Sequence, residues 1–466
     1  MERFINREWE LNSLNEQYNM DESSFVVIYG RRRVGKTTLI HEFIKNKTAL
    51  YFLATEESDE ENRKGFAREL ALFTGNKRDG NVLYENWYDA ISVFLEYKCD
   101  MKKILVIDEL PYLVRFNAAM PSILQKIWDT MLQHENIMLI LCGSLINMME
   151  KSTLNYGSPL YGRRTGQLRV TQIDFLHYNE FFDNMPYRDL IEHYALTGGI
   201  PRYIELFKER GSLISKIERY ILQRGSFLYD EVEFLLRHEV DEIGSYMSII
   251  KSIAAGNHRL SKISDDIGVK QTSLPKYLKT LIDLDILERE VPVTESNPEK
   301  RKTSLYKIKD NFLRFWFCFV YNERSRLEMG QTDIIIKKIK TNFIDNHVAY
   351  IYENVCRSEL WRLNNERKIN FNRLGRWWNS KEEIDIVALD DSMKSIVFGE
   401  CKYRNKPVDI DVFYDLIRKK DVVLWNVNNR QETFIIFSIG GFTNRLIELS
   451  VQRGDLYLIG KDGNLL

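Results

Sequence analysis

This chain of 466 residues lacks long uncharged apolar runs, clustered cysteines and any large excess of one charge. No uncharged run approaches the length a membrane span needs. The very apolar stretch Phe312 to Tyr321 is too short and is expected to be a buried helix. The five cysteines (Cys99, Cys142, Cys318, Cys356, Cys401) show no C-x-x-C spacing, and the seven histidines are equally dispersed. That pattern argues against a disulfide framework and a zinc site, and suits a reducing cytosol, so a cytoplasmic location is expected. The opening octet Met1–Glu8 is charged and does not read as a signal peptide. A net charge of −1 excludes a molecule that is basic all over, so any nucleic-acid contact must come from local patches. The length is too great for one core, and about three domains are expected.

What is present is organised around Gly30-Arg31-Arg32-Arg33-Val34-Gly35-Lys36-Thr37-Thr38. It follows an apolar run, Phe25–Tyr29, and precedes a helical pattern, Leu39–Ile44. Strand, glycine-bounded loop and helix form the setting in which G-x-x-x-x-G-K-[ST] cradles phosphates. Glycines let the backbone turn its N–H groups inward, and the helix N-terminus adds partial positive charge. Lys36 is expected on the β- and γ-phosphates of ATP, and the Thr37 hydroxyl on Mg²⁺. Arg31, Arg32 and Arg33 suit phosphate by charge, but nothing in the sequence says which of them faces it.

Ala49–Leu53 reads as a second strand. Ile104–Asp108 reads as a fully buried strand ending in two carboxylates, Asp108 and Glu109, a pattern of parallel sheets covered on both faces. Asp108 is expected to hold Mg²⁺ through its water shell, and Glu109 to orient or deprotonate the attacking water. A third apolar strand, Ile137–Cys142, ends at Gly143-Ser144. The glycine-bounded pair Arg163 and Arg164 could supply an arginine finger to a neighbouring subunit or form a solvated loop.

Residues 173–240 are mostly helical in pattern, broken by Leu196–Tyr203, whose Gly198-Gly199 turn and Pro201 suit a helix end and a helix start. Arg202 could face the nucleotide from this lid. Between 241 and 310 the spacing predicts helices over 246–255, 261–267 and 271–284, then two strands flanking a polar loop. That is helix-turn-helix plus wing. A DNA-binding face would carry Lys270, Gln271, Thr272, Ser273 and Lys276, with Lys300, Arg301 and Lys302 on the wing. Neighbouring acids dilute the patch, and a winged helix used only for protein contacts is the alternative. The last region, 341–466, reads as a separate α/β unit with helix 344–361 and strand 369–378. There Asp385 on one strand and Glu400-x-Lys402 on the next would converge, because period-two alternation puts Glu400 and Lys402 on one face. Two carboxylates can hold Mg²⁺ and a lysine can polarise the attacking water; Glu353 on the preceding helix could add a carboxylate. A plain surface ion pair is the bland alternative.

Several of these stretches carry a family resemblance. Phe4-x-x-Arg7-Glu8-x-Glu10-Leu11 resembles the lead-in of AAA+-like ATPases, or is simply a packing helix with Trp9, Leu11 and Leu14 on one side. The order of elements around Asp385, Glu400 and Lys402 resembles the PD-(D/E)XK nuclease superfamily, with Ile384 where its proline would stand. Taken together, Gly30–Thr38, Leu105–Leu110, Thr197–Tyr203, Asp310–Trp316, Gly375–Trp378, Glu383–Val387 and Gly399–Tyr403 resemble the archaeal-type ATPase family, a STAND/AAA+-like P-loop domain with a C-terminal DUF234 domain. The resemblance implies an α/β multidomain chain. Its parts would be a P-loop ATPase core (1–172), a helical lid (173–240), a winged helix (241–310), a linker helix (311–340) and a restriction-endonuclease-like DUF234 domain (341–466). It implies ATP and Mg²⁺ as cofactors and Ser144 as a γ-phosphate sensor. DNA is the expected partner, alongside a nucleotide-dependent homo-oligomer. A non-catalytic signalling scaffold is the alternative function.

Overall fold

The computed structural model describes residues 4–300 and 304–466; for Asp79 and Lys300 it describes the backbone alone. Two compact units emerge: one runs to Gln172 and takes in Ile200–Arg202, and the other holds Ile173–Gly199 and Tyr203–Leu466.

The first unit is built on five parallel strands: β1 Ser24–Tyr29, β2 Ala49–Leu53, β3 Lys103–Asp108, β4 Ile137–Gly143 and β5 Gly166–Arg169. Their order is β2-β3-β4-β1-β5. β1, β3 and β4 are buried along their whole length, as unbroken apolar runs require when both faces are covered. Because the strands are parallel, the ends of β1, β4 and β3 lie side by side at one edge. Ligands of open α/β sheets bind at that carboxyl edge. The lead-in helix Glu8–Tyr18 buries Leu14, but Trp9 is 68 % exposed. Five residues of helix turn the side chain by roughly 140°, so Trp9 and Leu14 cannot share the face expected of them.

The second unit begins with helices. Tyr187–Thr197 stops at Gly198 and Gly199, both left-handed (φ 61° and 71°). A Cβ on Gly199 would stand 2.0 Å from the Ile173 carbonyl oxygen, so only glycine fits there. Helices Ile243–Ala254, Leu260–Ile267 and Leu274–Asp283 precede an antiparallel pair, β6 Leu287–Glu290 and β7 Leu305–Ile308. Helix Asn311–Phe319 is buried through Phe312, Phe315, Trp316, Phe317 and Phe319. The expected helix over 344–361 is a π-helical turn, Ile344–Val348, followed by the α-helix Ala349–Asn365. The remaining strands, β8 Arg373–Trp378, β9 Glu383–Asp390, β10 Ser395–Lys402, β11 Gln431–Ser438 and β12 Leu456–Ile459, form a mixed sheet in the order β12-β11-β10-β9-β8. β8, β9 and β10 pair antiparallel; β10, β11 and β12 pair parallel. Among the described residues no helix is long and apolar enough to cross a membrane.

Candidate functional site

The loop after β1 is shaped by its backbone. Gly30 has φ 152°, and a Cβ there would stand 2.2 Å from the Val170 carbonyl oxygen. Arg33 and Gly35 are also left-handed, and Gly35 caps helix Lys36–Ile44. Lys36 is buried, and its ammonium donates to the carbonyls of Gly30 (2.8 Å) and Arg31 (2.9 Å), so it lies back along its own loop. Val34 is buried and its carbonyl accepts from Arg7 at 3.1 Å; Arg7 also reaches the carbonyl of Thr171. Arg7 therefore ties the lead-in segment to the loop. Arg31 is buried, Arg32 donates to the Tyr112 hydroxyl at 2.8 Å, and Thr37 and Thr38 are exposed at the start of the helix.

Asp108 ends β3 and is buried. Its Oδ2 accepts from the Thr37 hydroxyl (3.0 Å) and the Tyr51 hydroxyl (2.7 Å); its Oδ1 accepts the Glu109 N–H (2.9 Å). Glu109 takes the left-handed conformation, φ 55°, which turns the chain sharply between strand and helix Leu110–Phe116. Ser144 follows β4, the strand between β1 and β3. Its hydroxyl bonds one Glu109 carboxylate oxygen and its N–H donates to the other at 3.2 Å. Lys36, Thr37, Asp108, Glu109 and Ser144 thus gather at one edge of the sheet. A carboxylate and the hydroxyl after the loop lysine, already hydrogen-bonded to each other, are the oxygen donors a hydrated Mg²⁺ takes.

The arginines scatter. Arg202 is the second residue of helix Pro201–Phe207, whose Pro201 lies beside Gly35. Arg163 pairs with Asp129 at 2.7 and 2.8 Å, and Arg164 lies over the Tyr161 ring. Both precede β5, at the edge of the sheet where strands begin, away from the phosphate loop.

In the second unit Gly399 of β10 faces Ile386 of β9, so Asp385 and Glu400 become neighbours. Asp385 accepts the N–H of Cys401 at 3.0 Å. Lys402 donates to Glu400 at 2.6 Å, confirming that both occupy one face. Cations missed in the sequence surround the carboxylates. Arg376 of β8 stands 3.5 Å from Glu353 and 3.7 Å from Asp385, and Lys419 of helix Ile410–Lys420 stands 3.6 Å from Glu400. Burial pushes the Glu353 carboxyl up, opposed by Arg376 and reinforced by Asp385; burial and Asp385 likewise raise Glu400. Among the described residues no three His, Cys, Asp or Glu side chains form a metal-holding cluster. Guanidinium and ammonium groups supply the positive charge beside these carboxylates. Lys270, Gln271, Thr272, Ser273 and Lys276 are all exposed: Lys270 precedes the short helical turn Gln271–Ser273, and Lys276 lies on the helix after it. The Lys300 side chain, Arg301 and Lys302 lie outside the described residues.

A parallel sheet with a phosphate loop after one strand and an acidic pair after another defines a P-loop ATPase domain. Residues 4–207 match the profile of an ATPase domain found predominantly in Archaea, and residues 316–416 match DUF234, archaeal and bacterial proteins of unknown function. An uncharacterized protein of Methanocaldococcus jannaschii is 38 % identical over 426 residues, 90 % of this chain and 92 % of that one. The chain belongs to this family of archaeal-type ATPases with a DUF234 region. A second M. jannaschii protein, an uncharacterized ATP-binding protein, is 48 % identical over 44 residues, 9 % of this chain and 75 % of its own. Among solved structures, the Walker-type ATPase of Pyrococcus abyssi aligns with TM-score 0.47 at 21 % identity, over 67 % of this chain and 96 % of that one. Aeropyrum pernix ORC1, solved in complex with DNA, aligns with TM-score 0.35 at 13 % identity, over 70 % and 95 %.

Proposed function

We propose that this chain is an ATP-hydrolysing switch that couples its nucleotide state to DNA binding. The observation that carries the reading is the convergence of Lys36, Thr37, Asp108, Glu109 and Ser144 at the ends of three adjacent strands. Each has a distinct task. Lys36 exchanges its two carbonyl partners for the β- and γ-phosphate oxygens of ATP, a stronger charge-assisted contact. Thr37 and Asp108 would hold Mg²⁺, which supplies charge neutralisation on the transferring phosphoryl group. Glu109 orients the attacking water and draws its proton. In the described conformation Ser144 bonds both Glu109 oxygens, one hydrogen bond to each, which holds the carboxylate against Ser144 and leaves a second lone pair on each oxygen for water. The γ-phosphate offers Ser144 a competing acceptor, which couples arrival of ATP to release of the base.

The exposed polar face of Lys270 to Lys276 suits phosphate contacts, and the wing residues Lys300, Arg301 and Lys302 would extend it by sequence. Arg163 or Arg164 would serve as an arginine finger only toward a neighbouring subunit, since their own loop is at the other end of the strands. The face-to-face placement of Asp385, Glu400 and Lys402 supports a second activity, metal-dependent phosphodiester cleavage in a nuclease-like fold. Cleavage would require a metal to displace Arg376 or Lys402 from the carboxylates.

The ATP assignment is tested by titrating a fluorescent ATP analogue into Lys36→Ala. Loss of a charge-assisted contact to phosphate is worth about 1.5–3 kcal/mol, so affinity should fall about 10- to 100-fold. Retained affinity would sink the assignment.

A further inference from the structure

Asp108 accepts a hydroxyl that the P-loop pattern does not include. Tyr51 lies on β2, in register with Val106 of β3, and its ring reaches to the end of that strand. Its hydroxyl donates to Asp108 Oδ2 at 2.7 Å, and the Thr37 hydroxyl donates to the same oxygen at 3.0 Å. The ring is braced by His41 of the P-loop helix, with centroids 4.5 Å apart.

A carboxylate oxygen has two lone-pair directions. Tyr51 fills one on Oδ2 and the Thr37 proton takes the other. The Thr37 hydroxyl then points its proton at Asp108 and keeps its own lone pairs for a cation. Without Tyr51, Oδ2 has an open direction inside the protein, and the carboxylate torsion is intrinsically broad. The Glu109 N–H would still hold Oδ1, but Oδ2 and the Thr37 proton on it would lose the second donor that fixes their arrangement. We propose that Tyr51 is a positioning residue for the divalent cation of the ATP site, acting through Asp108 to keep Thr37 ready as a ligand. The proposal rests on the P-loop reading and adds to it the residue that sets metal affinity apart from nucleotide affinity.

The test is Tyr51→Phe, which keeps the ring against His41 and removes the donor. Two quantities are measured on the full chain: affinity for a non-hydrolysable ATP analogue in EDTA, and Mn²⁺ affinity of the protein–nucleotide complex by electron paramagnetic resonance. Expected are an unchanged EDTA affinity, within about twofold, and Mn²⁺ binding weakened about tenfold, the lower end for a lost hydrogen bond to a charged group. In an Asp108→Asn background the same substitution should have no further effect on Mn²⁺. Unchanged Mn²⁺ affinity in Tyr51→Phe overturns the proposal. So does an equal loss in EDTA, which marks a structural role, or an undiminished effect in Asp108→Asn. Should the parent bind no nucleotide at all, the P-loop reading falls and takes this inference with it; nucleotide binding without a Tyr51 effect removes this inference alone.

Discussion

Glu109 and Ser144 show how much a single side chain decides here. Glu109 is bound twice by Ser144 while Asp108, one residue earlier, is bound by Thr37, Tyr51 and the Glu109 N–H. The backbone at Glu109 is left-handed, a conformation that costs a non-glycine residue and is kept where the surroundings determine it. It turns two successive carboxylates toward different partners. On the proposed function, Ser144 would answer to both the γ-phosphate and Glu109. Ser144→Ala should erase the preference for ATP over ADP and slow turnover about tenfold, since a hydrogen bond to a charged group is worth about 1.5–3 kcal/mol. Binding of both nucleotides, followed beside single-turnover hydrolysis, checks this; an intact ATP preference would contradict it.

At the scale of elements, what could be read in advance was what repeats along the chain. The phosphate loop is contiguous, so Gly30 to Thr38 was legible as a unit. The buried strand ending at Asp108 was legible because burial on both faces leaves an unbroken apolar run. The hairpin of β9 and β10 was legible from period two, and its register brings Asp385 beside Glu400 as alternation requires. Tyr51, Arg376 and Lys419 were not, and Arg7 was legible only as part of the lead-in pattern, not as a tie to the phosphate loop. Each reaches its partner across strands or helices, and no local spacing marks that a tyrosine in one strand will meet the carboxylate ending the next. Trp9 failed for the opposite reason, because apolar character was read as burial without respecting helical rotation. The hairpin also carries a prediction. If β9 and β10 form a cleaving site, Asp385→Ala and Lys402→Ala should each lower Mg²⁺- or Mn²⁺-dependent cutting of labelled DNA by at least about 100-fold, in the range of general acid–base and metal-ligand contributions. Cutting at the parent rate would remove the assignment. Folding should persist, because the sheet's apolar core, including Ile384, Val387, Phe398 and Phe434, does not depend on either side chain.

At the scale of the whole molecule, the second unit carries a buried titratable group that sets its pH range. His347 is fully buried; its Nε2 faces the Ala195 carbonyl at 2.7 Å and its Nδ1 faces Arg314 at 2.9 Å. With a carbonyl on one side and a guanidinium on the other, the ring is neutral, with the proton on Nε2. Burial, then the Arg314 charge, holds its proton affinity well below the ordinary histidine value. Burial lowers His193 in the same sense, helped by nearby Lys216. The unfolded chain therefore binds protons that the folded chain refuses. Stability is complete above the unfolded value of about 6.5 and is lost as pH falls below it, by up to about 1.4 kcal/mol per pH unit for each such histidine. Urea unfolding between pH 7.5 and 5.5 should show this decline, shallower in His347→Gln, whose amide can keep both hydrogen bonds without titrating. An equal decline in both proteins would assign the effect elsewhere.

On the proposed function, the first unit hydrolyses ATP with Glu109 as its base. Steady-state phosphate release by Glu109→Gln, measured beside its ATP affinity, tests this most directly. Affinity should stay within about threefold of the parent while turnover falls about 10²- to 10⁴-fold, the usual contribution of a positioned base. Turnover at the parent rate, with ATP bound normally, would contradict the account.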